Sequence, residues 1–432
     1  MKPQMLIGAP ASGSGKTTFT MGLLRALSRR GMVPQPFKCG PDYIDTRFHA
    51  VAAGRESVNL DSWFSSESHI RELYSRYGAG ADACIVEGAM GLFDGYDRSL
   101  GSAAQIAEIL DIPVLIVVGA RSTAYSVASQ LVGIKSFRPG LKIAGVVFNQ
   151  VSSGRHRLLL EQAAEDAGLR CFGYIPRTAG LEVPSRHLGL SLSAASQMEE
   201  WIGAAAGCIE ANVDIDALLD ACKASFALPA AVSQAPAGRL KIAVARDAAF
   251  NFTYTANLDA LSRLGSVRFF SPLAGDALPE ADLLYLPGGY PELFAAQLAA
   301  NQALMADIRA YAEAGGKVLA ECGGMIYLSR GISGVEGGPY RMCGVLPLEA
   351  TMEGARLHLG YRRVVLPSGA QWRGHEFHYS ETVKDGQMLP SAAEQYDARG
   401  ARVATPLYRY KNVIAGYTHL YWAESGIMEL WK

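Results

Sequence analysis

Along the first half of the chain, short apolar runs alternate with stretches in which apolar side chains recur every three to four positions. This is the pattern of buried strands separated by amphipathic helices. It predicts strands at Gln4–Gly8, Val33–Lys38, Ala81–Glu87, Pro113–Val118, Lys142–Asn149 and Cys171–Ile175. Helices are expected at Lys16–Arg29, Ala103–Leu110, Thr123–Phe137 and His156–Ala167, with two more at Ala194–Ala206 and Ile215–Ala224. Strands that alternate with helices in this way form a doubly wound parallel sheet, so the fold class is α/β. From Phe226 the periodicity is lost in an Ala, Pro and Ser tract, read as a linker over 226–239. A second α/β unit restarts at Leu240–Ala245. It continues through a helix at Tyr254–Leu264, strands at Val267–Phe270 and Ala281–Leu286, helices between Pro291 and Ala314, and a strand at Lys317–Ala320. Beyond Tyr340 the pattern is β-rich, which predicts a mixed sheet. The expected domains are therefore 1–225 and 240–432.

Composition narrows the function. At 432 residues the chain has room for two domains. A charged fraction of 19% and a net charge of -1 give no field to gather nucleic acid or anionic lipid. Partners are expected to be small molecules or other subunits. The seven cysteines are scattered and form no CxxC pair, which suits a reduced cytoplasmic protein without a disulfide framework or zinc site. No apolar run reaches membrane-spanning length, and the start passes directly into a strand without a signal peptide.

Directly after the first strand comes Gly8-Ala-Pro-Ala-Ser-Gly-Ser-Gly-Lys-Thr-Thr18, leading into a helix. Strand, glycine-rich turn and helix start make a phosphate loop. Gly13, Ser14, Gly15, Lys16, Thr17 and Thr18 are the expected ATP contacts, with Lys16 on the β and γ phosphates and Thr17 on Mg2+. Pro10 stands where the strict spacing has glycine. Two polar loops should lie on the same sheet edge, Phe37–His49 and Glu87–Gly95. Lys38 is expected to balance phosphate charge, Asp42, Asp45, Glu87 and Asp94 are candidates to hold Mg2+ or to position a nucleophile, and Tyr43 and His49 are further candidates on the same loop to face substrate. For any single acidic residue here, a capping role is the alternative.

In Lys317-Val-Leu-Ala-Glu-Cys-Gly-Gly-Met-Ile-Tyr-Leu328, Cys322 falls where a strand gives way to a helix, the place of a nucleophile. Helix amides there are expected to favour the thiolate. Leu284-Tyr-Leu-Pro-Gly-Gly-Tyr-Pro-Glu292 offers a glycine pair, and the amides of Gly289 and Gly323 are the expected oxyanion donors. His419, at the end of Val413–Trp422, is the expected base. His375 and His378 are spaced to point to opposite faces of one strand, which argues against a shared metal.

Together these segments resemble the glutamine-dependent cobyrinic acid a,c-diamide synthase family over nearly the whole chain. The resemblance is carried by Ala9–Thr18, Phe37–Asp45, Val58–Asp61, Glu87–Gly95, Arg186–Leu190, Ala243–Asp247, Gly288–Leu293 and Ala320–Gly324. It implies a dethiobiotin-synthetase-like ATPase domain followed by a flavodoxin-like class I glutamine amidotransferase domain. It also implies ATP, Mg2+, L-glutamine and a cobyrinic acid substrate, with a homodimer as the assembly. Cys322 becomes the glutaminase nucleophile, and ammonia is expected to pass between the domains to an acyl phosphate. Tyr421 stands where many amidotransferases carry an acidic partner for the histidine, so a Cys-His dyad is expected. Hydrogenobyrinic acid and nickel-sirohydrochlorin are alternative acceptors. A P-loop regulatory switch is the rival from another class, disfavoured because Ala11 replaces the signature lysine of partition ATPases.

Overall fold

The computed structural model describes residues 1–178, 180–181, 192–228, 238–384 and 389–432. The segment Arg186–Leu190 and positions 229–237 of the expected linker lie outside the described residues. The chain divides into two units, Met1–Val232 and Ser233–Lys432.

In the first unit the strands are β1 (Lys2–Gly8), β2 (Pro34–Cys39), β3 (Val58–Leu60), β4 (Ala83–Glu87), β5 (Val114–Gly119), β6 (Ile143–Val151), β7 (Cys171–Pro176) and β8 (Lys223–Ala224). The helices are α1 (Lys16–Arg29), α2 (Ile44–Ala53), α3 (Glu67–Gly78), α4 (Ala103–Leu110), α5 (Val127–Phe137), α6 (Gly154–Asp166), α7 (Leu192–Asn212) and α8 (Ile215–Ala221). Seven strands run parallel in the order β3-β2-β4-β1-β5-β6-β7, and β8 pairs antiparallel with β1. Because helices cover both faces, β1, β4 and β5 read as continuous apolar runs without polar alternation. One side of the core gathers Met5, Ile7, Phe19, Leu23, Trp201 and Ile209, which seats α1 and α7 on the sheet. β1 lies between β4 and β5, so the loops after β1, β2 and β4 meet at the carboxyl edge where the strand order reverses.

Three features differ from the expected elements. α2 and α3 form where no helix was expected, and β3 is an added edge strand. Residues 44–53 have a weak apolar stripe because Asp45 and His49 occupy the face that turns to the phosphate site. The linker also starts later than 226. Phe226 packs on Tyr74 with ring centroids 5.9 Å apart and carries the Lys2 ammonium 3.5 Å above its ring, so it belongs to the first unit.

The second unit continues the numbering with β9 (Leu240–Ala245), β10 (Gly265–Phe270), β11 (Leu283–Leu286), β12 (Lys317–Glu321), β13 (Gly331–Ser333), β14 (Tyr340–Arg341), β15 (Leu348–Thr351) and β16 (His358–Val365). β17 (Gln371–His378), β18 (Glu381–Lys384), β19 (Glu394–Tyr396), β20 (Arg402–Val403), β21 (Leu407–Tyr410), β22 (Val413–Gly416) and β23 (Thr418–Tyr421) follow. Its helices are α9 (Thr255–Leu264), α10 (Ala295–Ala300), α11 (Gln302–Glu313) and α12 (Gly323–Leu328). The main sheet has the order β10-β9-β11-β12-β22-β21, parallel except for β21. Side chains divide by alternation: Leu284, Leu286 and Val318 join Ile308 and Met325 on one face, while Ile242, Tyr285 and Leu319 meet Trp372 and Trp422 on the other. A five-stranded antiparallel sheet, β20-β19-β16-β17-β23, brings β23 against β12 and pairs β17 with β23. The β-rich end is therefore the element that delivers the histidines. No helix among the described residues is long and apolar enough to cross a membrane.

Candidate active sites

In the first unit, Gly15 precedes α1 with a left-handed φ of 103°. A Cβ there would lie 1.9 Å from Asn149 Nδ2, so only glycine fits. Asn149, at the end of β6, donates to Ser14 O at 3.0 Å and ties the loop to the sheet. Space around Gly13 is open. The Glu87–Gly95 loop folds against the phosphate loop through Leu92 N to Ala9 O at 2.7 Å. Lys16 Nζ donates to Met90 O at 2.5 Å, and burial together with the nearby Lys38 charge lowers its pKa.

Glu87 is the hub. It is fully buried, with Thr17 Oγ1 at 2.8 Å and Lys38 Nζ at 2.8 Å from one carboxylate oxygen and His49 Nε2 at 2.8 Å from the other. Lys38 also donates to Asp45 Oδ2 at 2.6 Å, and His49 Nδ1 meets Ser57 Oγ at 2.9 Å. Asp45 and His49 are four apart on α2, so one helix face aims both at the same point. Burial opposes charge on Lys38, Glu87 and Asp45. For Lys38 the carboxylates of Asp45, Glu87 and Asp42 outweigh that penalty and raise its pKa. For Glu87 the Lys38 and His49 contacts outweigh it and hold the carboxyl below its usual range. Asp45 must share Lys38, so burial and the Asp42 charge push it up to about 8. This surplus of negative charge is what a bound cation would relieve.

The other expected residues spread out. Asp42 Oδ1 accepts from the amides of Ile44 and Asp45, both at 2.8 Å, which is a helix-capping role. Tyr43 is buried, and Thr18 donates to Leu181 O at 3.2 Å. Asp94 is exposed on its loop and accepts from Gly91 N at 2.9 Å.

The donors suit Mg2+. Thr17, Glu87 and Asp45 offer hard oxygen ligands, and the described residues contain no group of three His, Cys, Asp or Glu side chains able to cage an ion by themselves. Mg2+ keeps waters and nucleotide phosphates as ligands and needs few from protein.

In the second unit, Cys322 follows β12 and precedes α12 with φ 46° and ψ -103°. A non-glycine residue held at positive φ is strained, and such strain is concentrated at reactive turns. Its amide donates to Gly416 O at 2.7 Å, which locks the turn against β22. Gly288 lies between nucleophile and base: a Cβ on it would come within 2.2 Å of His419 Cε1 and 3.4 Å of Cys322 Cβ. The ideal Cβ site on Gly323 is 3.1 Å from Gly289 N, so the two expected oxyanion amides lie side by side. The Phe377 carbonyl lies 3.8 Å from Cys322 Sγ and also faces His419.

Electrostatics correct one expectation. Burial, followed by the Glu292 charge, pushes the Cys322 thiol well up, and the Gly323 amide only partly offsets them. Burial lowers His419 to about 3. The resting pair is thus neutral thiol and neutral imidazole, with proton transfer left for the substrate complex.

The expected dyad also gains a neighbour. Glu321 Oε2 lies 3.9 Å from His419 Nδ1, while the same carboxylate accepts from Tyr285 OH and Leu420 N, both at 2.8 Å. The acidic group comes from the residue before the nucleophile, where sequence spacing from the histidine gives no signal. His375 stacks on His419 with centroids 5.1 Å apart, and His378 turns to the other face and lines the thiol cleft. That cleft opens to solvent and is walled by Cys322, Phe252, Tyr290, Glu292, Phe377 and Ser380, among others.

Residues 5–190 match the CobQ/CobB/MinD/ParA nucleotide-binding domain, and residues 241–427 match the CobB/CobQ-like glutamine amidotransferase domain. The chain is 44% identical to the hydrogenobyrinate a,c-diamide synthase of Rhodobacter capsulatus, covering 96% of this chain and 98% of that protein. It is 42% identical to the protein of that name from Brucella anthropi, covering 96% and 97%. Identity is 39% to the cobyrinate a,c-diamide synthase of Picrophilus torridus, covering 96% and 95%. A nucleotide-binding unit and an amidotransferase unit in this order, matched over nearly full length, place the chain in the cobyrinate and hydrogenobyrinate a,c-diamide synthase family.

Proposed function

We propose that this enzyme amidates the a and c acetate carboxylates of cobyrinic acid, using ATP to activate each carboxylate and glutamine as nitrogen donor. A carboxylate resists attack by ammonia because it already carries negative charge. Its oxygen attacks the γ-phosphorus of ATP, ADP departs, and the acyl phosphate formed has phosphate as leaving group. Lys16 and Lys38 are the cations for the transferring phosphoryl group, and Thr17, Glu87 and Asp45 are the residues to hold Mg2+. Bound Mg2+ supplies further charge neutralisation there. Asp42, Tyr43, His49 and Asp94 are proposed for the acceptor side, with His49 acting through Glu87.

In the second unit, His419 takes the Cys322 proton as sulfur attacks the glutamine amide carbon. The amides of Gly289 and Gly323 hold the oxyanion. The C–N bond breaks as His419 returns the proton to nitrogen, which releases ammonia and leaves a glutamyl thioester. Water then hydrolyses the thioester to glutamate. Ammonia displaces phosphate from the acyl phosphate to give the amide. A cytoplasmic setting is supported by seven free cysteines.

The observation that carries this reading is the convergence of Cys322 and His419 on Gly288, in a chain whose other unit gathers Thr17, Lys38 and His49 on Glu87. Hydrogenobyrinic acid is the second acceptor to consider, because relatives at 44% and 42% identity carry that name. Mass spectrometry of each macrocycle incubated with ATP, Mg2+ and glutamine tests both. Two successive acid-to-amide conversions on one acceptor identify it, and none on either contradicts the proposal.

A further inference from the structure

Glu292 lines the Cys322 cleft and follows the expected oxyanion residue Gly289 by three positions, on the short turn Pro291–Phe294. It is not fully exposed, and no salt bridge to it occurs among the described residues. The contact that favours its charged form is with its own backbone amide, and burial raises its pKa to about 7. A carboxylate held in a cleft without a countercharge is costly, and here it also penalises ionisation of the neighbouring thiol. Such a cost is met when a ligand brings the opposite charge.

Glutamine brings one. With its amide carbon at Cys322, its α-ammonium must meet another part of the cleft wall. His378, whose pKa burial lowers to about 4, is neutral, and Ser380 and Tyr379 offer hydroxyls. The acidic group among the lining residues is Glu292.

We propose that Glu292 receives the α-ammonium of glutamine in the Cys322 cleft and so selects free glutamine over amides that lack this amine. The proposal rests on the glutaminase reading of Cys322. Binding then does two things, because the incoming cation both anchors the substrate and cancels the negative charge beside the thiol. The nucleophile becomes easier to ionise when its substrate is present.

The test compares glutamine with its des-amino analogue 4-carbamoylbutanoate, with ATP, Mg2+ and macrocycle present, for wild type, Glu292→Gln and Glu292→Asp. Wild type is expected to favour glutamine in kcat/KM by about tenfold or more, as for loss of one partner of a desolvated ion pair. In Glu292→Gln the preference collapses because KM for glutamine rises, and Glu292→Asp retains part of it. Without glutamine, iodoacetamide alkylates Cys322 faster in Glu292→Gln than in wild type, an effect opposite in sign to the loss of glutamine use. A Glu292→Gln enzyme that hydrolyses glutamine with the wild-type preference overturns the proposal. If that variant does not fold, the wild-type comparison decides, since equal use of both amides overturns it as well. Absence of Cys322-dependent glutamate release from wild type removes the glutaminase reading itself, an outcome distinct from unaltered selectivity.

Discussion

The chemistry at Cys322 depends on what is missing from its neighbour. Gly288 has no side chain, and a methyl group there would need space 2.2 Å from His419 Cε1. Gly288→Ala is expected to displace the imidazole and lower glutamine hydrolysis by about a hundredfold, as ångström-scale misplacement of a reacting group does. Calorimetry showing a folded variant with wild-type hydrolysis would contradict this. Glu292 gives a pH signature. Below about 7 it becomes protonated and cannot pair with an ammonium, so kcat/KM for glutamine should fall as pH drops through that range. The other cleft residues with resolved shifts, the raised thiol of Cys322 and the lowered His378, keep their neutral forms there. Glu292→Gln should lose that limb, and an unchanged profile would exclude Glu292 as its source. At this scale sequence was most informative where function is local. Lys16, Thr17 and Cys322 sit in contiguous motifs whose backbone shape follows from the glycines beside them. Glu321 and Asn149 carry no such local signal because their partners lie 98 and 135 residues away respectively, and only folding brings them together.

Strands and helices explain which groups can meet. Continuous apolar runs made β1, β4, β5, β9 and β12 legible. α2 was not, because Asp45 and His49 interrupt its apolar stripe in order to serve Glu87. Tertiary contacts settle what local pattern left undecided. Placing Glu321 at the last residue of β12 buries a carboxyl whose pKa rises to about 8, from 4.5 in an exposed state. Below pH 4.5 both folded and unfolded forms hold the proton, and the group costs nothing. Between 4.5 and about 8 the unfolded chain releases a proton that the folded one retains, so stability falls as pH rises, by a few kcal/mol at most. Glu321→Gln does not titrate. Its melting temperature relative to wild type is expected to improve from pH 5 to pH 8, and a difference independent of pH would refute the burial argument. β4 presents the opposite case in Glu87, whose charge is matched by Lys38. Glu87→Ala leaves that buried cation without one of its two carboxylates and should destabilise the protein by about 3 kcal/mol, measured by denaturant unfolding. A change below about 1 kcal/mol would show the pair to be dispensable.

At the scale of the whole molecule, we assign nitrogen release and carboxylate activation to different units. Each unit carries its own core and its own reactive edge. Lys16→Ala is therefore expected to abolish ATP-dependent amidation while the Cys322 site stays folded, which thiol alkylation and calorimetry can follow. The division of labour has one direct test. Wild type and Cys322→Ala are given glutamine with a heavy-nitrogen amide, ATP, Mg2+ and the macrocycle, and in parallel an ammonium salt in place of glutamine. The expected products are two labelled amides from wild type, none from the variant with glutamine, and two amides from the variant with ammonium. A variant that still transfers the glutamine label, or that fails with ammonium although folded, would contradict that division of labour.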